Sequence, residues 1–204
     1  FLQTADGFKA KLAEFGYIEG ENINYSLKKL NANPSGEKTA AEQFVKDKVD
    51  LILTFPTSST NAAKAAAQGT EIPVVFANAM IEGNNLVETI QKPGGNITGV
   101  RFPSVETTLK RLEILIDIAP DAERIYVGHD INYPGSSFAL EAVLNAAPSL
   151  GVTIVDPRVT NAEELKADLE ARSQSDDIGI DAVLIMPTLL SAGPVGFKII
   201  LEWL

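Results

Sequence analysis

VDLILTFPTSSTNAAKAAA, residues 49–67, is the stretch on which the reading of the whole chain turns. Val49, Leu51, Ile52, Leu53 and Phe55 make a short apolar run, mostly branched or aromatic, of the length of one strand buried on both faces. Pro56 ends it. Thr57, Ser58, Ser59 and Thr60 then give four consecutive hydroxyls, each able to accept from an orphan N–H at a helix start. The Ala-rich run from Ala62 to Gln68 is a strong helix former, and Gly69 stands where such a helix stops. Two readings of the turn follow. The hydroxyls cap the helix, or they join the backbone N–H groups in receiving an anion such as a carboxylate, at the strand end where open α/β sheets bind ligands.

Outward from this unit the same period repeats. Upstream, Phe8, Leu12 and Phe15 lie at helical spacing within residues 5–16, and Ile23, Tyr25 and Leu27 alternate with polar residues, which predicts a half-buried strand. NANPSG at 31–36 reads as a loop before a helix whose inner face is Ala40, Ala41, Phe44 and Val45. Downstream, residues 72–76 predict a buried strand ending at Ala77-Asn78-Ala79, residues 86–90 one or two helical turns, and residues 97–100 a short strand. A second run then begins. Ser104 opens a helix with Leu109, Leu112, Leu115, Ile116 and Ala119 inward, and Pro120 closes it. Strands follow at 125–128, 152–155 and 182–186. Between them lie a helix containing Leu140, Val143, Leu144 and Ala147, and one opened by an Asn161/Glu164 capping box; residues 195–204 look helical.

Strand and helix in alternation predict an α/β protein with parallel sheets, in two lobes of 1–100 and 101–204 joined near residues 97–104. The carboxyl edges collect the candidate ligand contacts: Thr57, Ser58, Ser59 and Asn78 in the first lobe, and His129, Asp130, Asn132, Ser136, Ser137 and Thr188 in the second. Phe102, in the joining segment, either stacks on a ligand or packs the hinge. A cleft between two such edges is a ligand site of the hinge-closing kind.

Composition narrows the function classes. Twenty-seven acidic against seventeen basic residues give a formal net charge of −10, the wrong sign for nucleic acid or an anionic membrane surface. There is no cysteine, hence no disulfide and no thiolate metal site, and the single histidine, His129, leaves little for zinc or Ser-His chemistry. No apolar run reaches membrane-spanning length. Gly94-Gly95-Asn96-Ile97-Thr98-Gly99 precedes a strand and has the wrong glycine spacing for a dinucleotide loop. No residue is assigned a catalytic or metal-ligating role, and no cofactor is implied.

The chain resembles the ABC-transporter substrate-binding proteins of the periplasmic-binding-protein type I fold, in the branch known for aromatic amino acids. The resemblance is carried by GFKAKLAEFGYIEGENINY at 7–25, residues 49–66, IPVVFANA at 72–79 and above all KPGGNITGV at 92–100. LEILIDIAPDAERIYVG at 112–128 and DAVLIMP at 181–187 carry it more loosely. It implies three-layer α/β/α lobes and an extracytoplasmic, lipid-anchored or secreted receptor that hands its solute to an ABC permease, with contacts at the turns and strand ends named above. It also implies a strand before Phe1 and more of the second lobe after Leu204, so the chain reads as incomplete at both ends, with an exposed sheet edge beside the strand at 51–55 that invites a homodimer. Where family members carry an acidic residue after each of two strands, this chain has Ala77-Asn78-Ala79-Met80 and Thr188-Leu189-Leu190. The expected ligand is therefore a carboxylate or a neutral polar solute with an apolar body. A sensor domain of a signalling protein and an enzyme on a doubly wound sheet are the alternatives; the enzyme would need a general base, for which His129 is the candidate.

Overall fold

A computed structural model describes residues 2–30, 33–133 and 135–204. The chain divides into two compact units, Phe1–Phe102 and Pro103–Leu204. In the first, α1 (Leu2–Glu14) is followed by α2 (Pro34–Lys46), β1 (Ile52–Thr54), α3 (Thr57–Ala67), β2 (Val74–Ala79) and β3 (Ile97–Arg101). α2 starts inside the stretch read as a loop. The Asn33 side chain accepts from Gly36 N at 3.0 Å, and Pro34 takes the first helical position, where its missing N–H costs nothing.

The three strands form a parallel sheet in the order β1-β2-β3, with Ile52 opposite Val74 and Phe76 opposite Gly99. Gly99 is required there: a Cβ would lie 2.6 Å from Phe76 Cγ and nearer still to the Phe76 carbonyl. Ala41, Ile52, Ala63, Ala67, Val74, Phe76, Leu86 and Ile97 make one buried core under α2 and α3. On the alternate positions Leu53 and Val75 are half-buried, and Val100 is exposed.

Two expectations fail here. The strand predicted over Ile23, Tyr25 and Leu27 is reduced to a single bridge between Glu19 and Ile23, and residues 24–30 have no regular structure. Their alternation marks an amphipathic segment, but a strand needs a ladder, and β1 pairs only with β2 among the described residues. Residues 86–90 are not helical either. Glu88 N and Thr89 N donate to Pro93 O and Lys92 O at 2.8 and 3.0 Å, closing a turn that Leu86 anchors in the core.

The second unit runs α4 (Ser104–Ile118), β4 (Arg124–Tyr126), α5 (Ser136–Ala146), a 3₁₀ turn (Ala147–Leu150), β5 (Thr153–Val155), α6 (Ala162–Ser173), β6 (Ala182–Val183), α7 (Leu189–Ala192) and α8 (Pro194–Trp203). Its sheet is parallel, in the order β5-β4-β6, and Leu184 N extends the β6 pairing by donating to Tyr126 O at 2.8 Å. Period-2 alternation sends side chains into two separate cores. Ile125, Val127, Leu184 and Met186 pack with Leu112 of α4 and Ala139, Leu140 and Val143 of α5. Tyr126, Val183 and Ile185 pack with Leu165 and Leu169 of α6 and Ile200 of α8. Both sheet faces are thus covered, and each fully buried Leu or Ile contributes about 1.5–3 kcal/mol. The predicted capping box is present with one change. Asn161 Oδ1 accepts from Glu164 N at 2.9 Å, while the Glu164 carboxylate reaches Thr160 N and Oγ1, which lowers its pKa.

Candidate functional site

In the first unit the site is built on the β1–α3 turn and the end of β2. The Thr57 hydroxyl, 1% exposed, accepts from Met80 N at 3.0 Å and so ties the start of α3 to the segment after β2. Thr60 Oγ1 donates to Pro56 O at 2.8 Å and lies 3.0 Å from Thr54 Oγ1. Ser58 and Ser59 donate to one oxygen of Glu37, at 3.0 and 2.9 Å. All four hydroxyls of the turn, those of the candidate contacts Thr57, Ser58 and Ser59 among them, are therefore engaged inside the unit. What stays open is backbone. Pro56 provides no side-chain cap and the first helical bond is Thr60 N to Pro56 O, so the N–H groups of residues 57–59 meet no acceptor among the described residues.

Asn78 is exposed and has a left-handed backbone, φ 60°, at the point where the β2–β3 register shifts between Ala77 and Ala79. Asn is among the few non-glycine residues that tolerate this conformation, and the bulge turns its side chain off the regular ladder. Beyond it Met80 is buried, and Glu82 pairs with Arg101 at 2.8 Å. Phe102 is half-buried, its N–H donating to Ala79 O at 2.8 Å.

In the second unit the turn after β4 is held from within. His129 is 6% exposed; its Nε2 lies 3.2 Å from Ser136 Oγ, which donates towards the carbonyls of Asp130 and Tyr133 at 2.8 and 2.9 Å. His129 Nδ1 is 3.8 Å from Asp156 Oδ1, too far for a hydrogen bond. Burial alone would raise the Asp156 carboxyl. His129 beside it, with the backbone N–H and the charge of Arg158, outweighs this and holds it below its ordinary value. Ser136 and His129 with Asp156 thus bring together the residue types of a hydrolytic triad. The serine is buried and its hydroxyl is taken by carbonyls, so the cluster fastens a turn instead of presenting a nucleophile.

Asp130 Oδ1 accepts from Asn132 N at 2.9 Å, an Asx turn, and Asp130 bridges to Val159. Thr188 is buried, its hydroxyl 2.9 Å from Ser191 Oγ and 3.3 Å from Ser191 N, where it caps the four-residue α7. The side chains of Asn132 and Ser137 are exposed. Sequence reasoning missed Glu37 and Asp156. Glu37 is one of the first-turn acids that helix N-termini favour, and that was the signal available for it. No group of three or more His, Cys, Asp or Glu able to hold a metal occurs among the described residues. No helix among them is long and apolar enough to cross a membrane.

The two parallel α/β units have the type I periplasmic-binding-protein fold, and solved structures share it. The ABC domain in complex with L-Trp from Streptococcus pneumonia superposes with a TM-score of 0.80 at 23% identity, covering 97% of this chain and 64% of that one. A solute-binding protein from R. palustris in complex with 4-hydroxybenzoate gives 0.62 at 20% identity, over 87% and 46%. Residues 1–191 match the model of the ABC transporter substrate binding protein family, and the chain belongs to that family. A curated relative, the tyrosine-binding protein of Clostridioides difficile (strain R20291), is 26% identical over 197 residues, 95% of this chain and 54% of that protein. The chain spans about half the length of this curated relative. The family is one of substrate-binding proteins, not of enzymes.

Proposed function

We propose that this chain is the solute-binding part of an extracytoplasmic receptor that serves an ABC importer. The observation that carries the reading is the family match over residues 1–191. The two units act as its two lobes. The solute is small and organic, a carboxylate or a neutral polar molecule with an apolar body. Relatives that hold L-Trp or 4-hydroxybenzoate, or are named for binding tyrosine, agree with a ring-sized apolar part.

Groups at the carboxyl edges of the sheets hold it. From the first unit come the turn Thr57, Ser58 and Ser59 through its free N–H groups, the side chain of Asn78, and Phe102 as an apolar wall. From the second come the turn from Asp130 through Asn132 to Ser136 and Ser137, with His129 and Thr188 fastening its surroundings. The protein binds its solute unchanged, works at the outer membrane-facing side of the transporter, and passes the solute to the permease. β1, an edge strand in its sheet, pairs two copies into a homodimer.

Native mass spectrometry of the purified protein against a metabolite panel tests the receptor reading. A retained or captured solute of a few hundred daltons is expected, with turnover of none; a protein that takes up no member of the panel refutes it. Light scattering tests the dimer, which a monodisperse monomer contradicts.

A further inference from the structure

The second unit carries a cavity of about 310 Å³ lined by Arg111, Ile185, Ala192 and Phe197. That volume is at the lower end of ligand pockets, roughly 300–1,000 Å³. Arg111 comes from α4, Ile185 from the chain just after β6, Ala192 from the end of α7 and Phe197 from α8. All four belong to the second unit, so the cavity is complete within it. Three of its walls are apolar, and the fourth is a guanidinium.

That guanidinium differs from the others in the chain. Arg101 pairs with Glu82, Arg124 with Asp177 and Asp181, Arg158 with Asp156, and Arg172 with Asp168. Arg111 has no carboxylate partner among the described residues, although the chain carries a formal net charge of −10. Its own helix supplies none one turn away, where Thr107, Thr108, Ile114 and Leu115 stand. A single hydrogen bond holds it: Nη1 donates to Ile185 O at 3.1 Å. This fixes the planar group at the cavity wall and leaves Nε and Nη2 unbonded among the described residues. Two such N–H groups side by side match the two oxygens of a carboxylate, a fit that an ammonium does not offer.

We propose that this cavity binds a small monocarboxylate with an apolar body. The carboxylate accepts from Arg111 Nε and Nη2, and the body lies against Phe197, Ile185 and Ala192. None of these four residues is among those assigned above to the transported solute, so this is a second site.

The test uses phenylacetate and phenethylamine, two probes with one ring and opposite charges, titrated into the chain while the amide resonances of Ile185, Ala192 and Phe197 are followed by NMR. In the wild-type protein phenylacetate shifts these resonances saturably and phenethylamine does not. Arg111→Gln weakens phenylacetate by about tenfold or more, the worth of a hydrogen bond to a charged group. Arg111→Lys, which keeps the charge and loses the fork, weakens it less than Arg111→Gln does. Phe197→Ala weakens it through the lost apolar wall. Arg111 and Phe197 are both exposed, so these variants keep the parent circular dichroism spectrum. Silence towards phenylacetate in the wild type overturns the inference, as does equal binding of phenethylamine or an unchanged phenylacetate affinity in Arg111→Gln. Native mass spectrometry keeps this site apart from the receptor reading, since wild type and Arg111→Gln should capture the same panel solute equally. Loss of that solute from Arg111→Gln would make the two sites one and overturn the second site; phenylacetate binding with no panel solute captured would leave it standing while the receptor reading fails.

Discussion

Thr57→Val removes one atom's function and almost nothing of its shape. The Thr57 oxygen is the only partner described for Met80 N–H, at 3.0 Å, and both residues are buried. Valine fills the same volume and offers no acceptor, so the N–H is left without water or protein to bond. An orphaned buried donor costs about 1–3 kcal/mol. The methyl group gained in exchange returns about 0.8 kcal/mol, which leaves a net loss of about 0.2–2 kcal/mol. With a urea m-value of about 1 kcal/mol per M for a unit this small, the midpoint falls by about 0.2–2 M. Urea unfolding followed by far-UV circular dichroism reads this directly, and amide exchange at Met80 places the loss. An unchanged m-value with a midpoint within about 0.2 M of wild type would refute the idea that this bond fastens α3 to the end of β2.

Other perturbations follow from the same geometry. Asn33→Ala removes the side-chain cap of α2 and lowers stability by about 0.5–2 kcal/mol, seen by calorimetry as a lower Tm. Gly99→Ala forces a Cβ into the Phe76 backbone and spreads the β2–β3 pair, costing about 2 kcal/mol or more; a parent-like Tm would contradict the register. Arg124 holds the Asp181 carboxyl down at about 2, from an ordinary 3.8, so its contribution is present above the unfolded value and lost as pH falls through about 2. Asp181→Asn should therefore lower stability at neutral pH and flatten the acid limb of a stability titration between about pH 4 and 2, the difference from the parent disappearing at the acid end.

The elements were legible where the apolar period was strong. Ile52 to Thr54, the Ala-rich α3 and the inner face of α4 are local patterns that burial enforces, and they stand where the sequence puts them. Ile23, Tyr25 and Leu27 misled because alternation describes one side of a pairing and says nothing of whether a partner is there. The site was legible only as a location. That Thr57, Ser58 and Ser59 stand at a helix start could be read from Pro56 and the alanines after them. That their hydroxyls are taken by Glu37 and Met80 could not, because those partners lie 21 to 23 residues away and depend on how α2 and β2 pack. The same holds for His129. A lone histidine after a strand looks available, and only the fold turns one of its nitrogens to Ser136 and the other towards Asp156.

The sheet of the second unit is a partition. Because Ile125 and Val127 face one core and Tyr126 the other, damage on one side has no apolar path to the opposite side except through the strands themselves. Val143→Ala beneath one face and Leu165→Ala beneath the other should therefore combine as a simple sum, within about 0.5 kcal/mol. Two truncations that touch within the same core should depart from their sum by about 0.5–3 kcal/mol. The unit then varies as two modules sharing one wall, and a library randomised on one side leaves the other side's tolerance as it was.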